Sequence, residues 1–168
     1  MKRRHPVPRL WLMTDERQGE ALWAALESLP GGAGVVFRHY GLPLKQRRTL
    51  FERVRRVAAR RRLILLVAGL PLPGGHGTHG RPGRGLRSAS AHNLRELKAA
   101  ERSGADLVFL SPVFATRSHL RANTLGPRRF ALIAHQANIP VIALGGMNAR
   151  RARSLGGAWG WGGIDAWS

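Results

Sequence analysis

The chain has 168 residues, no cysteine and a formal net charge of +19, from 28 Lys and Arg against nine Asp and Glu. That length suits a single domain over residues 1–168 with a sizeable core. Lack of cysteine excludes disulfides and thiolate metal sites, and no apolar run reaches the roughly 18 residues of a membrane-spanning helix.

At the N-terminus, the basic stretch Met1-Lys2-Arg3-Arg4-His5-Pro6 leads to Pro8 and Asp15-Glu16 rather than to a sustained apolar segment. A secretory signal is not expected, and a cytoplasmic protein is. The positive field would attract polyanions, so nucleic acid has to be weighed as a partner. However, 25 of the 28 cations are Arg, the skew that GC-rich codons produce whatever the protein binds. The one dense cluster, Arg53, Arg55, Arg56, Arg60, Arg61 and Arg62, reads first as a solvated helix face and second as a polyanion site.

In chain order, Leu10-Trp11-Leu12-Met13-Thr14 reads as a buried strand, and Gln18 to Leu29 as a helix burying Leu22, Leu26 and Leu29. Gly31-Gly32 ends it. Val35 to Arg38 is a second strand, and Gln46 to Arg60 a helix with Leu50, Phe51, Val54, Val57 and Ala58 on one face. Leu63 to Val67 is a third strand, apolar on both sides as parallel strands tend to be. From Gly69 to Gly85 glycine and proline break any helical period, with a short strand at Gly77-Thr78-His79. Regularity then returns: strand Leu86 to Ser90, helix Asn93 to Ser103 with Leu94, Leu97 and Ala100 inward, and strand Asp106 to Leu110. Helix Pro127 to Ala137, strand Pro140 to Leu144, short helix Asn148 to Leu155 and strand Trp159 to Ile164 complete the chain.

Strand-then-helix repetition implies a parallel sheet with right-handed crossovers. Eight strands favour an α/β fold of the abbreviated (β/α)8 TIM-barrel type, lacking helix 3 and the last helix. Trp159, Trp161 and Trp167 crowd the end of the chain, either as core or as an apolar patch for a second copy in a homo-oligomer.

Barrel chemistry gathers where the strands end. Thr14, Asp15, Arg38, His39, His79, Ser90, His92, Ser111, Thr116, Arg117, Ser118 and His119 fall there, followed by Gly145-Gly146 and Asp165. Hydroxyls, guanidinium groups, imidazoles and main-chain amides dominate, a set suited to an anion rather than a metal. Gly145 and Gly146 let backbone approach a phosphate closely. Only Asp15 and Asp165 are carboxylates at strand ends, on strands that become neighbours when a barrel closes. They share a cation or an arginine, or Asp15 simply caps the next turn. Ser90 and His92 share a strand face, as pocket donors or as satisfied structural groups, and Asn93 suits a helix N-cap. His76 and His79 have a metal-like spacing but no third ligand, so no metal site is assigned.

At these residues the sequence resembles the thiamine phosphate synthase/TenI-like family of βα-barrels. The likeness is carried by Ser90-Ala91-His92, Glu96, Gly104-Ala105-Asp106, Ser111-Pro112-Val113-Phe114-Ala115-Thr116, Gly126 and Pro140 to Met147. Leu12 to Asp15 and Val36-Phe37-Arg38 add a weaker echo upstream. The resemblance implies joining of a hydroxymethylpyrimidine diphosphate to a thiazole phosphate with loss of pyrophosphate, so small phosphorylated pyrimidine and thiazole ligands are the expected partners. It assigns catalytic roles to Arg38, Ser90 and Thr116. Phosphate and substrate contacts fall to His92, Arg117, Ser118, His119, Gly145, Gly146, Ile164 and Asp165. It also implies Mg²⁺, but both ligand positions are lost: one falls on Ala68-Gly69, the other in Gly80-Arg81-Pro82-Gly83-Arg84. The strand-two Gln-x-Arg-x-Lys pattern keeps only Arg38, and the lysine of Thr-x-Thr-Lys falls on His119. A serine near the last phosphate amides becomes Asp165. The alternatives are a TenI-like thiazole tautomerase or inactive phosphate-binding paralogue, although the tautomerase base falls on Pro112, and a basic polyanion-binding barrel.

Overall fold

The computed structural model describes residues 6–117 and 123–167. Eight parallel strands close on themselves in sequence order: β1 (Leu10–Met13), β2 (Gly34–Phe37), β3 (Ile64–Ala68), β4 (Gly77–His79), β5 (Leu86–Ala91), β6 (Leu107–Leu110), β7 (Val141–Ala143) and β8 (Gly160–Gly163). Closure is through β8 on β1, with Leu10 opposite Trp161 and Leu12 opposite Gly163. Among the described residues five α-helices follow the strands: α1 (Ala21–Ser28), α2 (Leu44–Arg61), α3 (Leu94–Arg102), α4 (Gly126–Ala134) and α5 (Ala149–Arg153). The expected TIM-type barrel is the observed one.

Alternation along each strand sorts side chains into an inside and an outside. Trp11, Met13, Val36, Leu66, Leu107, Phe109 and Ile142 fill the barrel interior. The Trp11 ring lies edge-on to Phe109, with centroids 5.2 Å apart, and its Nε1 donates to Pro8 O at 2.9 Å. So large a side chain fits because its register partners on β2 and β8 have none. A Cβ on Gly34 would lie 2.2 Å from the Trp11 ring, and one on Gly162 would lie 2.8 Å from Trp11 Cβ. The outward residues Leu12, Val35, Leu65 and Val67 pack against Leu22, Leu26, Phe51 and Val54 of α1 and α2. Those of β5 to β7, such as Val108, Leu110 and Val141, pack against Leu97, Phe130 and Ile133 of α3 and α4.

As expected, no helix follows β3, and the connection from β4 to β5 carries no helix either. Glycine and proline explain both, because neither sustains a helical turn. In place of a helix, residues 80–85 fold back over the outside of β4. Gly83 lies on the outward Thr78 side chain, whose hydroxyl donates to Arg81 O at 2.9 Å. Among the described residues no helix follows β8. Trp167 instead stacks on Trp161 at 4.8 Å and donates its Nε1 to Trp11 O. Trp159 keeps 38% of its surface exposed, with the Arg9 guanidinium 4.1 Å from its ring centroid. The Arg-rich face of α2 is partly neutralised: Arg60 and Arg61 pair with Glu27, Arg55 with Glu52, and Arg53 lies over Trp23. Among the described residues no helix is long and apolar enough to cross a membrane.

Candidate active site

A cleft of about 1170 Å³ opens at the C-terminal ends of the strands. Its lining includes Arg38, Ser90, His92, Thr116, Arg117, Gly145, Gly146, Ile164 and Asp165, which the sequence analysis singled out, so the fold brings these nine together. Ser118 and His119 lie outside the described residues. Asp15, His79 and Ser111, noted at strand ends, also line it, as do Met13, Arg17, Tyr40, Met147 and Asn148, which were not singled out.

One wall is the seam between β1 and β2. Arg38 donates through Nε to Thr14 O at 2.8 Å and through Nη2 to Asp15 Oδ2 at 3.0 Å. Asp15 also caps the 3₁₀ turn Glu16–Gln18, accepting from the Arg17 backbone at 3.0 Å and from Arg17 Nε at 2.8 Å. The capping role of Asp15 is present, and its cations are arginines: Arg17 bonds Asp15 and also feels the charge of Asp165. Burial works against the ionised Asp15, but the Arg17 hydrogen bonds and the charges of Arg17 and Arg38 together outweigh it. Its carboxyl is held below the ordinary value.

Behind this wall, His39 is buried with φ +25°, stacked on Phe37. Thr14 Oγ1 accepts the Arg38 amide at 3.0 Å and shares a hydrogen bond with His39 Nδ1, also 3.0 Å away, whose direction follows the ring tautomer. Burial lowers the His39 pKa and favours the neutral ring. Beside it, Arg47 of α2 is only 3% exposed and donates to three carbonyls, His39 O at 3.2 Å, Leu70 O at 2.9 Å and Ala68 O at 2.5 Å. It ties the ends of β2 and β3 together. Neither role was anticipated. The available signal was spacing: Arg47, Phe51, Val54 and Ala58 recur on one helix face, and all four are buried.

The floor holds His79. Its Nδ1 lies 2.9 Å from Ser88 Oγ and its Nε2 3.4 Å from Ser90 Oγ, with Phe109 edge-on at 5.5 Å. Burial, then the nearby Arg38 charge, push its pKa down to about 4, so the ring is neutral near pH 7. His76 diverges from it, accepting the Leu65 amide through Nδ1 at the other end of the barrel. Asn93 is the N-cap of α3, accepting from Glu96 N at 2.9 Å. Glu96 returns to His92, with Oε2 2.8 Å from both the backbone nitrogen and Nδ1. His92 thus stands at the cleft mouth with one ring nitrogen fixed.

The opposite wall is the turn after β7. Gly145 has φ +96° and Gly146 φ +59°, a region that side chains disfavour. Space imposes the same choice. A Cβ on Gly145 would lie 2.7 Å from Pro112 Cα, and one on Gly146 2.7 Å from Ala115 O. The loop after β6 is laced to this turn, Val113 N donating to Leu144 O at 2.8 Å and Phe114 N to Gly145 O at 3.0 Å. The twin glycines stay open to the cleft.

The family model described as thiamine monophosphate synthase matches residues 86–166, from β5 through β8. Over that stretch, just under half of the chain, the sequence is similar to the thiamine monophosphate synthase family. A protein of Aquifex aeolicus named as a candidate second thiamine-phosphate synthase is 41% identical over 78 residues, 45% of this chain and 42% of its own length. The thiamine-phosphate synthase of Methanococcus maripaludis is 43% identical over 60 residues, 36% of this chain and 29% of that one. The matches thus span less than half of these curated relatives. A thiamine phosphate pyrophosphorylase from Pyrococcus furiosus superposes with a TM-score of 0.78 over 94% of this chain and 86% of its own, at 23% identity, a likeness of fold.

Mg²⁺, implied by the family resemblance, does not fit the donors present. It favours carboxylate oxygens in octahedral array. Among the described residues the cleft's carboxylates are Asp15 and Asp165, and both Asp15 oxygens are taken by guanidinium groups. At the top of β3, Ala68 and Gly69 supply no side-chain ligand, and Ala68 O is already bonded to Arg47.

Proposed function

We propose that this chain is a divergent thiamine phosphate synthase, joining a hydroxymethylpyrimidine diphosphate to a thiazole phosphate. The observation that carries this reading is a cleft whose walls present Arg38, Ser90 and His92 on one side and Thr116 with the open Gly145-Gly146 turn on the other. The family match over residues 86–166 supports the same substrate class.

In the reaction, the C–O bond between the pyrimidine methylene and the diphosphate breaks, and its electron pair leaves with the diphosphate. The thiazole nitrogen lone pair then forms the new C–N bond. The protein's part is to stabilise departing negative charge with fixed donors. Arg38 and Ser90 face the diphosphate. Gly146, the backbone at Ile164 and Asp165, and Thr116 hold the thiazole phosphate, with Arg117 neutralising charge at the rim. Neutral His79 beneath them contributes polarity without a competing charge.

A second reading is a TenI-like, phosphate-binding paralogue without diphosphate chemistry. It is favoured by the loss of acidic residues at Ala68-Gly69. Incubating the protein with both substrates, with and without Mg²⁺, and measuring thiamine phosphate separates the two. Product in either condition supports the synthase; none in both leaves only the binding paralogue.

A further inference from the structure

The β1–β4 side of the cleft holds cations where a metal-dependent site would hold acids. Arg17 already pairs with Asp15 and feels the charge of Asp165, and Arg38 takes the second Asp15 oxygen. A divalent ion entering here would have to displace a guanidinium group from its carboxylate. Arg47 occupies the carbonyls at the tops of β2 and β3. The loop after β4 then adds Arg81, near enough to Arg47 for their charges to oppose each other. Arg81 Nε is buried with no hydrogen-bond partner among the described residues.

We propose that this sector binds the diphosphate group through arginines, without a divalent metal. The inference rests on the reading that a diphosphate substrate docks in this cleft. Arg38 is the principal contact. It spends one of its five N–H groups on Thr14 O and one on Asp15, leaving three for the ligand. Arg17 approaches from the β1 side, and the buried Arg47, with half-buried Arg81 near it, supplies a fixed positive field behind them. The arrangement takes the place of metal bridging: planar guanidinium groups match paired phosphate oxygens two at a time.

The test is calorimetric titration of the full chain with inorganic pyrophosphate, once in EDTA and once in excess Mg²⁺. Binding in EDTA as tight as in Mg²⁺, or tighter, is the expected result, since complexation by Mg²⁺ lowers free pyrophosphate. R38Q should weaken it at least tenfold and R17Q about threefold. R56Q, on the exposed face of α2, should leave it unchanged, which separates this site from the general field of a +19 protein. Circular dichroism melting checks that the variants fold, and the wild-type comparison stands without them. Binding that requires Mg²⁺ overturns the inference and leaves the proposed function intact. No binding in either condition overturns both. An R56Q effect equal to that of R38Q reduces the site to non-specific attraction and overturns the inference.

Discussion

Asp15 and Arg38 meet at 3.0 Å across the β1–β2 seam, each about one-fifth to one-quarter exposed, so a charge pair forms part of the cleft's lining. The pair sets how much of the arginine's charge a ligand feels. Replacing Asp15→Asn should tighten pyrophosphate binding about threefold, because Arg38 and Arg17 lose their counter-charge. The same change should lower stability by about 1 kcal/mol, the scale for a charged hydrogen bond lost from a partly exposed site. Titration of pyrophosphate beside urea unfolding measures both. Weaker binding in D15N would contradict the assignment of this wall to an anion.

His79 links the cleft floor to acid stability. Its folded-state pKa of about 4 lies below the ordinary 6.5 of an unfolded chain, so the unfolded state takes up the proton more readily. Stability from this group is complete above pH ~6.5 and is lost as pH falls toward ~4, by up to about 3 kcal/mol. Buried His39 is shifted the same way and adds to the slope. The urea midpoint should therefore fall between pH 6.5 and 4, and H79Q should flatten that fall. An unchanged slope in H79Q would place the titration elsewhere.

Gly145 and Gly80 both have left-handed backbones, at φ +96° and +70°, but only Gly145 is crowded by another segment. Gly80→Ala should cost about 1 kcal/mol from backbone strain alone. Gly145→Ala should cost about 3 kcal/mol, because the new methyl also meets Pro112 and Val113. Denaturant unfolding of the two variants checks the difference. Equal costs would mean that the loop after β6 yields freely.

Arg47 should be structural in a way that the exposed arginines of α2 are not. Arg47→Met leaves three carbonyls without their donor and should destabilise by about 3 kcal/mol, whereas Arg48→Met should fall within ~0.5 kcal/mol. Thermal melting of both variants gives the comparison, and limited proteolysis of R47M should cut first near residues 39–42 and 69–72.

The barrel was legible because its strands are apolar runs bounded by breakers. Val35-Val36-Phe37 and Leu63 to Val67 could hardly be anything else, and even β4 showed as a break in a glycine-rich stretch. Helix ends were less legible. The expected helix from Gln18 is a 3₁₀ turn over Glu16–Gln18 followed by α1 from Ala21, since the Asp15 cap and Gly19 divide it. The cleft's chemistry was readable where side chains follow strands directly, as for Arg38, Ser90 and His92. It was not readable where a residue acts across elements. Arg47 lies in a helix crowded with arginines and becomes distinct only once β3 and the β2 loop pack on it. Arg17 gains its place only when β8 closes on β1 and brings Asp165 near.

Replacing two crossover helices with folded-back loops leaves the stretch from β3 to β5 as a wall one layer thick on part of its circumference. The solvent path to the inner face is shortest there. Amide protons of β4 should exchange with deuterium before those of β6 and β7, which lie beneath α3 and α4.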